Sequence, residues 1–205
     1  MTEPKKMEMA KILNKIGALQ FGIFKLTSGK TSPYYIDLRV IPSFPDVFQD
    51  ICNFCAHAIA MEVGIKNFDR IAGVPIAGIP FASQVAFALK KPFLYSRQQP
   101  KRHGRERRVE GILVSGDRVL IVDDLVTTGL TIQKAAEAVR SEGGVVTDAV
   151  AFLDREEGGK EKLEKEGIKL HTLLRISEIA NTLYEMGAID EENLKIIKKQ
   201  IKKKN

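Results

Sequence analysis

Hydrophobic positions along this chain follow two different spacings, which alternate from about residue 69 onward. Short apolar runs typical of buried strands lie at 69–75, 92–96, 117–124, 145–154 and 168–174. Apolar residues at helical spacing lie between them, at 78–90, 130–144 and 160–167. This alternation predicts an α/β fold, with a mostly parallel, twisted sheet that helices cover on both faces.

The flanking segments add helices and one turn-rich region. Helical spacing is present at 5–20, 44–63, 177–187 and 190–203. The segment 24–39 instead joins turn residues to an aromatic and β-branched run, which predicts a short strand or a hairpin.

The composition suits one compact domain that needs no disulfide or metal for stability. The chain has 205 residues, of which 44% are hydrophobic and 28% are charged. No stretch approaches the roughly 18 apolar residues of a membrane span, and the N-terminal MTEPKKMEMAK lacks the apolar core of a signal peptide. We expect a cytoplasmic protein with no membrane partner.

The net charge of +6 is concentrated in two short segments. Residues 195–205 contribute +6 and residues 97–108 contribute +5, so the remainder of the chain carries −5. A body of negative charge does not favour a nucleic-acid partner, and the lysine-rich end is typical of a solvated final helix.

Cys52 and Cys55 form a single C-x2-C within the predicted helix 44–63. A zinc site needs two further ligands at suitable spacing, and the sequence has no second pair. We therefore expect both thiols to pack in the core.

The strongest chemical signal follows the apolar strand Val119–Val122. Two adjacent carboxylates, Asp123 and Asp124, come next, then the small-residue loop Leu125–Gly129 and a helix that begins at about Leu130 to Thr131. Backbone N–H groups at a helix start, together with threonine hydroxyls, form a phosphate cradle. Two acids beside a phosphate need another partner, and ribose hydroxyls or a substrate-borne Mg²⁺ both suit them.

This motif, VLIVDDxxTTGxT, resembles the phosphoribosyl diphosphate (PRPP) signature of type I phosphoribosyltransferases. The resemblance implies that the two aspartates hold the ribose hydroxyls and that Thr127 to Thr131 grip the 5′-phosphate. It also implies that the loop after the first core strand binds pyrophosphate, through Pro75, Ile76, Ala77 and Gly78. Small residues there allow a close approach of backbone to ligand.

The run 96–111 has no apolar periodicity and carries high positive charge, with Gly104 and Gly111 as flexible points. A charged loop of this length in a compact domain suits an active-site lid, because cations closing over a diphosphate stabilise its developing charge and exclude water. Contact with RNA phosphates and an inert surface are the alternatives, although no aromatic residue is interleaved for base stacking.

Three further matches resemble orotate phosphoribosyltransferases. They are SGKTSPY before a short strand, the RxxxKxHG pattern beginning at Arg97, and FLDREEGG at residues 152–159. The first resembles that family's N-terminal hood, so we expect one domain over 1–205. Its core would span about 43–175, and the hood would comprise about 1–42 with the C-terminal helices.

The resemblance implies both a set of site residues and a reaction. The acceptor, orotate, carries a carboxylate that needs a charged donor, and Arg155 supplies one. The PRPP-binding set comprises Arg97, Gln98, Lys101, His103, Asp123, Asp124, Leu125, Val126, Thr127, Thr128, Gly129, Leu130 and Thr131. The orotate-binding set comprises Thr127, Arg155, Lys30, Tyr34 and Tyr35. The catalytic set comprises Lys101, His103, Asp123 and Asp124, with Mg²⁺ held mainly through the substrate and with the two aspartates as its candidate protein ligands.

The family resemblance also implies a homodimer in which each lid covers the neighbouring site. Gln98, Thr27 and Ala77 stand where some members have lysine, which weakens the expected electrostatic stabilisation. Two other functions remain open at this point. One is a sister enzyme acting on another base, for which a neutral purine would not require Arg155; the other is a PRPP-sensing regulator, which would need a recognition domain.

Overall fold

The central feature is a six-stranded sheet in the order β5-β4-β3-β6-β7-β8, seen in a computed structural model that describes residues 3–25, 31–97 and 107–202. All neighbouring strands are parallel except β4 and β5, which are antiparallel. The strands are β3 (Arg70–Gly73), β4 (Phe93–Ser96), β5 (Val109–Glu110), β6 (Val119–Val126), β7 (Asp148–Asp154) and β8 (Lys169–Arg175). The predicted α/β class and mostly parallel sheet are confirmed.

Helices cover both faces of this sheet, as the continuous apolar character of the strands predicts. On β6, Leu120 and Val122 pack with the hydrophobic core on one face, whereas Val119 and Ile121 pack with the core on the other. The helices are α1 (Glu3–Lys15), α2 (Pro45–Glu62), α3 (Gly78–Ala88), α4 (Leu130–Ser141), α5 (Gly159–Lys165), α6 (Ile176–Glu185) and α7 (Glu191–Lys202), with short 3₁₀ helices at Leu38–Ser43 and Ile65–Asn67.

A separate hairpin lies before the large sheet. Strands β1 (Leu19–Lys25) and β2 (Thr31–Ile36) pair antiparallel, so the hairpin alternative for the turn-rich segment is confirmed. The predicted helix 5–20 is wrong beyond Lys15, where Gly17 at φ +75° ends it. Buried residues of α1, the hairpin, α6 and α7 share one hydrophobic core with α2 and α3.

The end of the predicted lid is ordered backbone rather than loop. Val109 and Glu110 form strand β5, and a β-carbon at Gly111 would lie 2.6 Å from Cδ2 of Leu94. Gly111 is therefore required for packing against β4, which corrects its assignment as a flexible point.

The predictions for the cysteine-bearing helix are confirmed. The helix predicted at 44–63 is α2, and its two cysteines are free and buried. Burial raises the pKa of the Cys52 thiol to about 12, so it stays protonated and packs as an apolar side chain. None of the helices in residues 3–25, 31–97 and 107–202 has the length and the continuous apolar character of a membrane span.

Candidate active site

The aspartate pair lies inside the carboxyl-terminal half of β6 rather than after it. The sequence predicted a strand over 117–124 with the two aspartates at its end, but β6 continues to Val126 because Asp123, Leu125 and Val126 stay in register with β7. The exposed fractions of Asp123 and Asp124 are 5% and 8%. Two ionisable groups are thus held at the centre of the sheet, next to its carboxyl edge.

Burial dominates the electrostatics of this pair. It raises the pKa of both carboxyls, and for Asp123 the neighbouring negative charge of Asp124 raises it further. Asp123 Oδ1 accepts from the N–H of Asp124 at 2.9 Å, and its Oδ2 accepts from the Thr131 hydroxyl at 3.3 Å. Buried carboxylates with so little internal compensation are suited to a ligand that brings hydroxyl donors or a cation.

The loop that follows β6 is a helix N-terminus with open N–H groups. Gly129 has φ +75°, which only glycine adopts readily, and this turn starts α4 at Leu130 without a side-chain cap. Thr128 and Thr131 lie exposed beside it, and Thr127 is half-buried. The uncapped N–H groups and the hydroxyls together can bind a phosphate.

A second helix N-terminus lies beside the first. Strands β3 and β6 are neighbours, with Gly73 opposite Val122, so the loop Pro75–Gly78 and the start of α3 reach the same edge of the sheet. A β-carbon at Gly78 would lie 2.5 Å from Oδ1 of Asp123. The peptide bond between Pro75 and Ile76 is cis. Because β4 and β6 lie on opposite sides of β3, this is the point of the sheet where ligands bind in open α/β folds.

Arg155 follows β7 and lies next to the phosphate loop. Its N–H donates to the carbonyl of Val126 at 3.0 Å, and its guanidinium lies 4.9 Å from the ring centroid of Tyr34, in the hairpin. Both residues are buried, and burial raises the pKa of the Tyr34 hydroxyl. The structure thus brings together two of the residues predicted to bind the acceptor base.

Glycine makes this juxtaposition possible. A β-carbon at Gly159 would lie 2.8 Å from the carbonyl oxygen of Thr127 and 3.1 Å from the N–H nitrogen of Gly129. The DREEGG segment therefore packs backbone against backbone on the phosphate loop. This is a physical reason for a glycine at position 159 of that motif.

Two charged residues near this edge were missed by sequence reasoning. Arg39 is paired with both oxygens of Asp37 and donates to the Tyr35 hydroxyl at 3.1 Å, and its positive charge lowers the pKa of Asp124 against the effect of burial. Glu157 is 7% exposed and forms an ion pair with Arg155. The proximity of Glu157 to Arg155 in the sequence was an available signal, whereas nothing in the sequence placed Arg39 near β6.

The two ends of the predicted lid, Arg97 and Arg108, are hydrogen-bonded to each other. Arg97 donates its N–H to the carbonyl of Arg108 at 2.8 Å and forms an ion pair with Glu110. A carboxylate oxygen of Glu142, just after α4, accepts from the N–H groups of Arg108 and Val109 at 2.6 and 3.0 Å. The predicted residues Gln98, Lys101, His103 and Gly104, and also Thr27 and Lys30, lie outside the described residues.

The sequence is similar to a known domain family and to curated enzymes over most of its length. The phosphoribosyl transferase domain family matches residues 47–180. An orotate phosphoribosyltransferase of Sulfolobus acidocaldarius is 46% identical over 191 residues, which cover 93% of this chain and 94% of that protein.

Two solved structures share the fold. The orotate phosphoribosyltransferase of Aeropyrum pernix has a TM-score of 0.77 and 33% identity, with 89% of this chain and 99% of that chain covered. The UMP synthase of Leishmania donovani has a TM-score of 0.85 and 32% identity; the match covers 98% of this chain but 43% of that longer chain. The predicted type I phosphoribosyltransferase fold is confirmed, and the chain belongs to the orotate phosphoribosyltransferase family.

Proposed function

We propose that this chain transfers the 5-phosphoribosyl group of PRPP to orotate and forms orotidine 5′-phosphate and pyrophosphate, a step of pyrimidine biosynthesis. The observation that carries the proposal is the contact between two sites. The buried Asp123–Asp124 pair leads directly into the phosphate loop, and Arg155 is hydrogen-bonded to the same strand at Val126. A sugar phosphate on the loop would therefore lie beside a cation suited to the carboxylate of the base.

The proposed reaction needs no covalent intermediate with the protein. A ring nitrogen of orotate attacks C1 of the ribose and releases its proton to the solvent, and the C1–O bond to pyrophosphate breaks with inversion, so that its electron pair leaves with pyrophosphate. Asp123 and Asp124 would orient the ribose through its hydroxyls and stabilise positive charge that develops on it. The N-termini of α3 and α4 would bind the two anionic ends of PRPP.

Lys101 and His103 are proposed to hold the departing pyrophosphate, with Arg97 contacting it from the base of the lid. Arg97 directly follows β4 and forms an ion pair with Glu110 of β5. Strand β4 pairs with β3, the strand that precedes the pyrophosphate loop. Charge-assisted donors directed at a leaving group stabilise the transition state more than the ground state.

The residues present suit a Mg²⁺ that arrives with the substrate. Across the ranges that the structure describes, no cluster of three or more histidine, cysteine, aspartate or glutamate side chains could hold a metal. The two buried carboxylates of β6 are hard oxygen ligands, and Mg²⁺ commonly takes one or two carboxylates plus substrate oxygens. When bound, Mg²⁺ would neutralise charge on the diphosphate. We expect excess chelator to abolish turnover, and added Mg²⁺ to restore it.

The assembly proposed from the family resemblance is a cytoplasmic homodimer with each lid over the neighbouring site. The oligomeric state is measured by size-exclusion chromatography with light scattering. A monomer at assay concentration would contradict the shared lid.

The decisive test of the proposed function is the loss of orotate absorbance on mixing with PRPP and Mg²⁺. Parallel reactions contain adenine or uracil in place of orotate. We expect turnover with orotate only, because the acceptor site presents a buried guanidinium that a neutral base would leave unpaired. Turnover with adenine, or PRPP binding without turnover on any base, would contradict the proposal.

A further inference from the structure

Glu157 is a buried carboxylate that the proposed reaction does not use. Its side chain is 4% exposed, and its Oε1 lies 3.0 Å from Nη2 of Arg155, whose side chain is 10% exposed. Ionising a carboxyl at this depth is costly unless a cation compensates it, so Glu157 and Arg155 are energetically linked.

The geometry of this pair leaves the donors of Arg155 available. The Nη2 to Oε1 contact is close enough for an ion pair but is not a hydrogen bond. Within the described part of the chain, neither Nε nor Nη2 of Arg155 has a hydrogen-bond partner, although both are buried. The guanidinium is therefore attracted by one carboxylate and stacked on Tyr34 at 4.9 Å, while N–H groups remain for a second carboxylate.

The position of Glu157 is in turn linked to the last helix. Nε2 of Gln200, in α7, donates to Oε1 of Glu157 at 3.4 Å. Leu194 and Ile197 of the same helix are 7% and 0% exposed, which fixes α7 against the core. A chain of contacts thus runs from α7 through Glu157 to the predicted base-binding arginine.

We propose that Glu157, supported by Gln200, is a positioning residue that holds Arg155 in the orientation that binds the carboxylate of the acceptor base. This inference rests on the proposed function, since it assigns Arg155 to the acceptor. It makes α7 part of the acceptor site, although that helix lies about 45 residues further along the chain. Bidentate recognition depends on the orientation of the planar guanidinium, so loss of its support weakens acceptor binding specifically.

A competing explanation predicts the opposite sign. Glu157 could occupy the cation that the acceptor needs, in which case removing the carboxylate would strengthen acceptor binding. The two explanations are therefore distinguished by whether the orotate KM rises or falls when the carboxylate is removed.

The test compares Glu157→Ala, Glu157→Gln and Gln200→Ala with two exposed controls, Glu161→Ala on α5 and Lys199→Ala beside Gln200. We expect Glu157→Ala to raise the orotate KM by about tenfold or more, because a partner of a buried charge is lost. Glu157→Gln keeps the shape and the contact with Gln200 but loses the charge, so its KM should rise less. Gln200→Ala should raise it by about two- to fivefold, as expected for the loss of one long hydrogen bond from a neutral donor.

Two further measurements separate positioning from general damage. The PRPP KM and kcat at saturating orotate should stay within about twofold of wild type, since the phosphate loop is untouched. Calorimetric binding of orotidine 5′-phosphate should weaken in the order Glu157→Ala, Glu157→Gln, Gln200→Ala. Thermal melting checks that each variant is folded. If Glu157→Ala is not folded, the comparison is made with Glu157→Gln.

Either of two outcomes would overturn the inference. One is an unchanged or lowered orotate KM in both Glu157 variants. The other is an equal rise in the KM values of orotate and of PRPP. Failure of the proposed function looks different, because the wild-type chain itself would then show no turnover that depends on orotate.

Discussion

Gly78 lies so close to Asp123 that a β-carbon at residue 78 would stand 2.5 Å from the carboxylate oxygen Oδ1 and 3.1 Å from Cα of Asp123. Both obstacles belong to a buried strand, so neither can move away at low cost. We predict that Gly78→Ala lowers kcat/KM for PRPP by at least about tenfold, because it separates the pyrophosphate loop from the aspartate pair.

Steady-state kinetics with varied PRPP check this prediction. Ser83→Ala, on the exposed side of the same helix α3, is the matched control and should behave as wild type. Near wild-type kcat/KM in Gly78→Ala would show that the loop and the aspartates act independently.

Asp123 carries a stability cost that depends on pH. Its pKa is raised in the folded protein, chiefly by burial, so the folded protein retains the proton over a pH range in which the unfolded chain has lost it. The free energy of unfolding therefore falls as pH rises from the ordinary aspartate pKa of 3.8 towards the raised folded value, and stays lower above it.

Asp123→Asn should remove this cost. We predict a higher Tm than wild type at pH 7 without ligand, by about 2–4 °C for each kcal/mol recovered, together with a loss of kcat/KM of about tenfold or more. The difference in Tm should vanish below about pH 4, where the Asp123 carboxyl of the wild type is protonated in both the folded and the unfolded chain. Calorimetric melts across pH check this, and a lower Tm for the variant at pH 7 would contradict it.

Arg155 should be required for the acceptor and not for PRPP. We predict that Arg155→Ala raises the orotate KM by about 100-fold, since a buried hydrogen bond between charged groups is worth about 1.5–3 kcal/mol and two can form. Arg155→Lys should restore little, because an ammonium cannot bind bidentately. The orotate absorbance assay measures both, and an unchanged orotate KM would move the acceptor site elsewhere.

Lys101 should act on the leaving group. We predict that Lys101→Ala lowers kcat by about tenfold or more and weakens binding of PRPP by only about two- to threefold, as expected for a group that works mainly in the transition state. Calorimetry with PRPP gives the binding constant separately from turnover. Abolished binding would make the lid a ground-state clamp instead.

Glu142 should stabilise the anchored end of the lid. Its carboxylate accepts from two backbone N–H groups, at Arg108 and Val109, and both lose their partner in Glu142→Ala. We expect the free energy of unfolding in urea to fall by about 1–3 kcal/mol. Glu137→Ala, on the exposed side of α4, provides the control; equal changes in both variants would show that general helix effects dominate.

Local sequence patterns were sufficient to predict the class of fold and a candidate phosphate site. Apolar runs such as Val119–Val122 have few alternatives to a buried strand, and the succession from Asp123 to Thr131 is contiguous, so its meaning does not depend on long-range contacts. The prediction of secondary structure failed where helical spacing of apolar residues conflicted with strand pairing. Residues 16–20 follow helical spacing, yet Leu19 and Gln20 enter β1 because pairing with β2 outweighs local propensity.

Which of these segments contact one another depends on how the whole chain packs. Nothing in the spacing of Gly78 and Asp123, or of Glu157 and Gln200, predicts that these residues come together. Strand order and helix docking bring them together, since these depend on burial summed over the whole core. Pair contacts between distant segments are chosen by the packing of all the layers together, which no short stretch of sequence encodes.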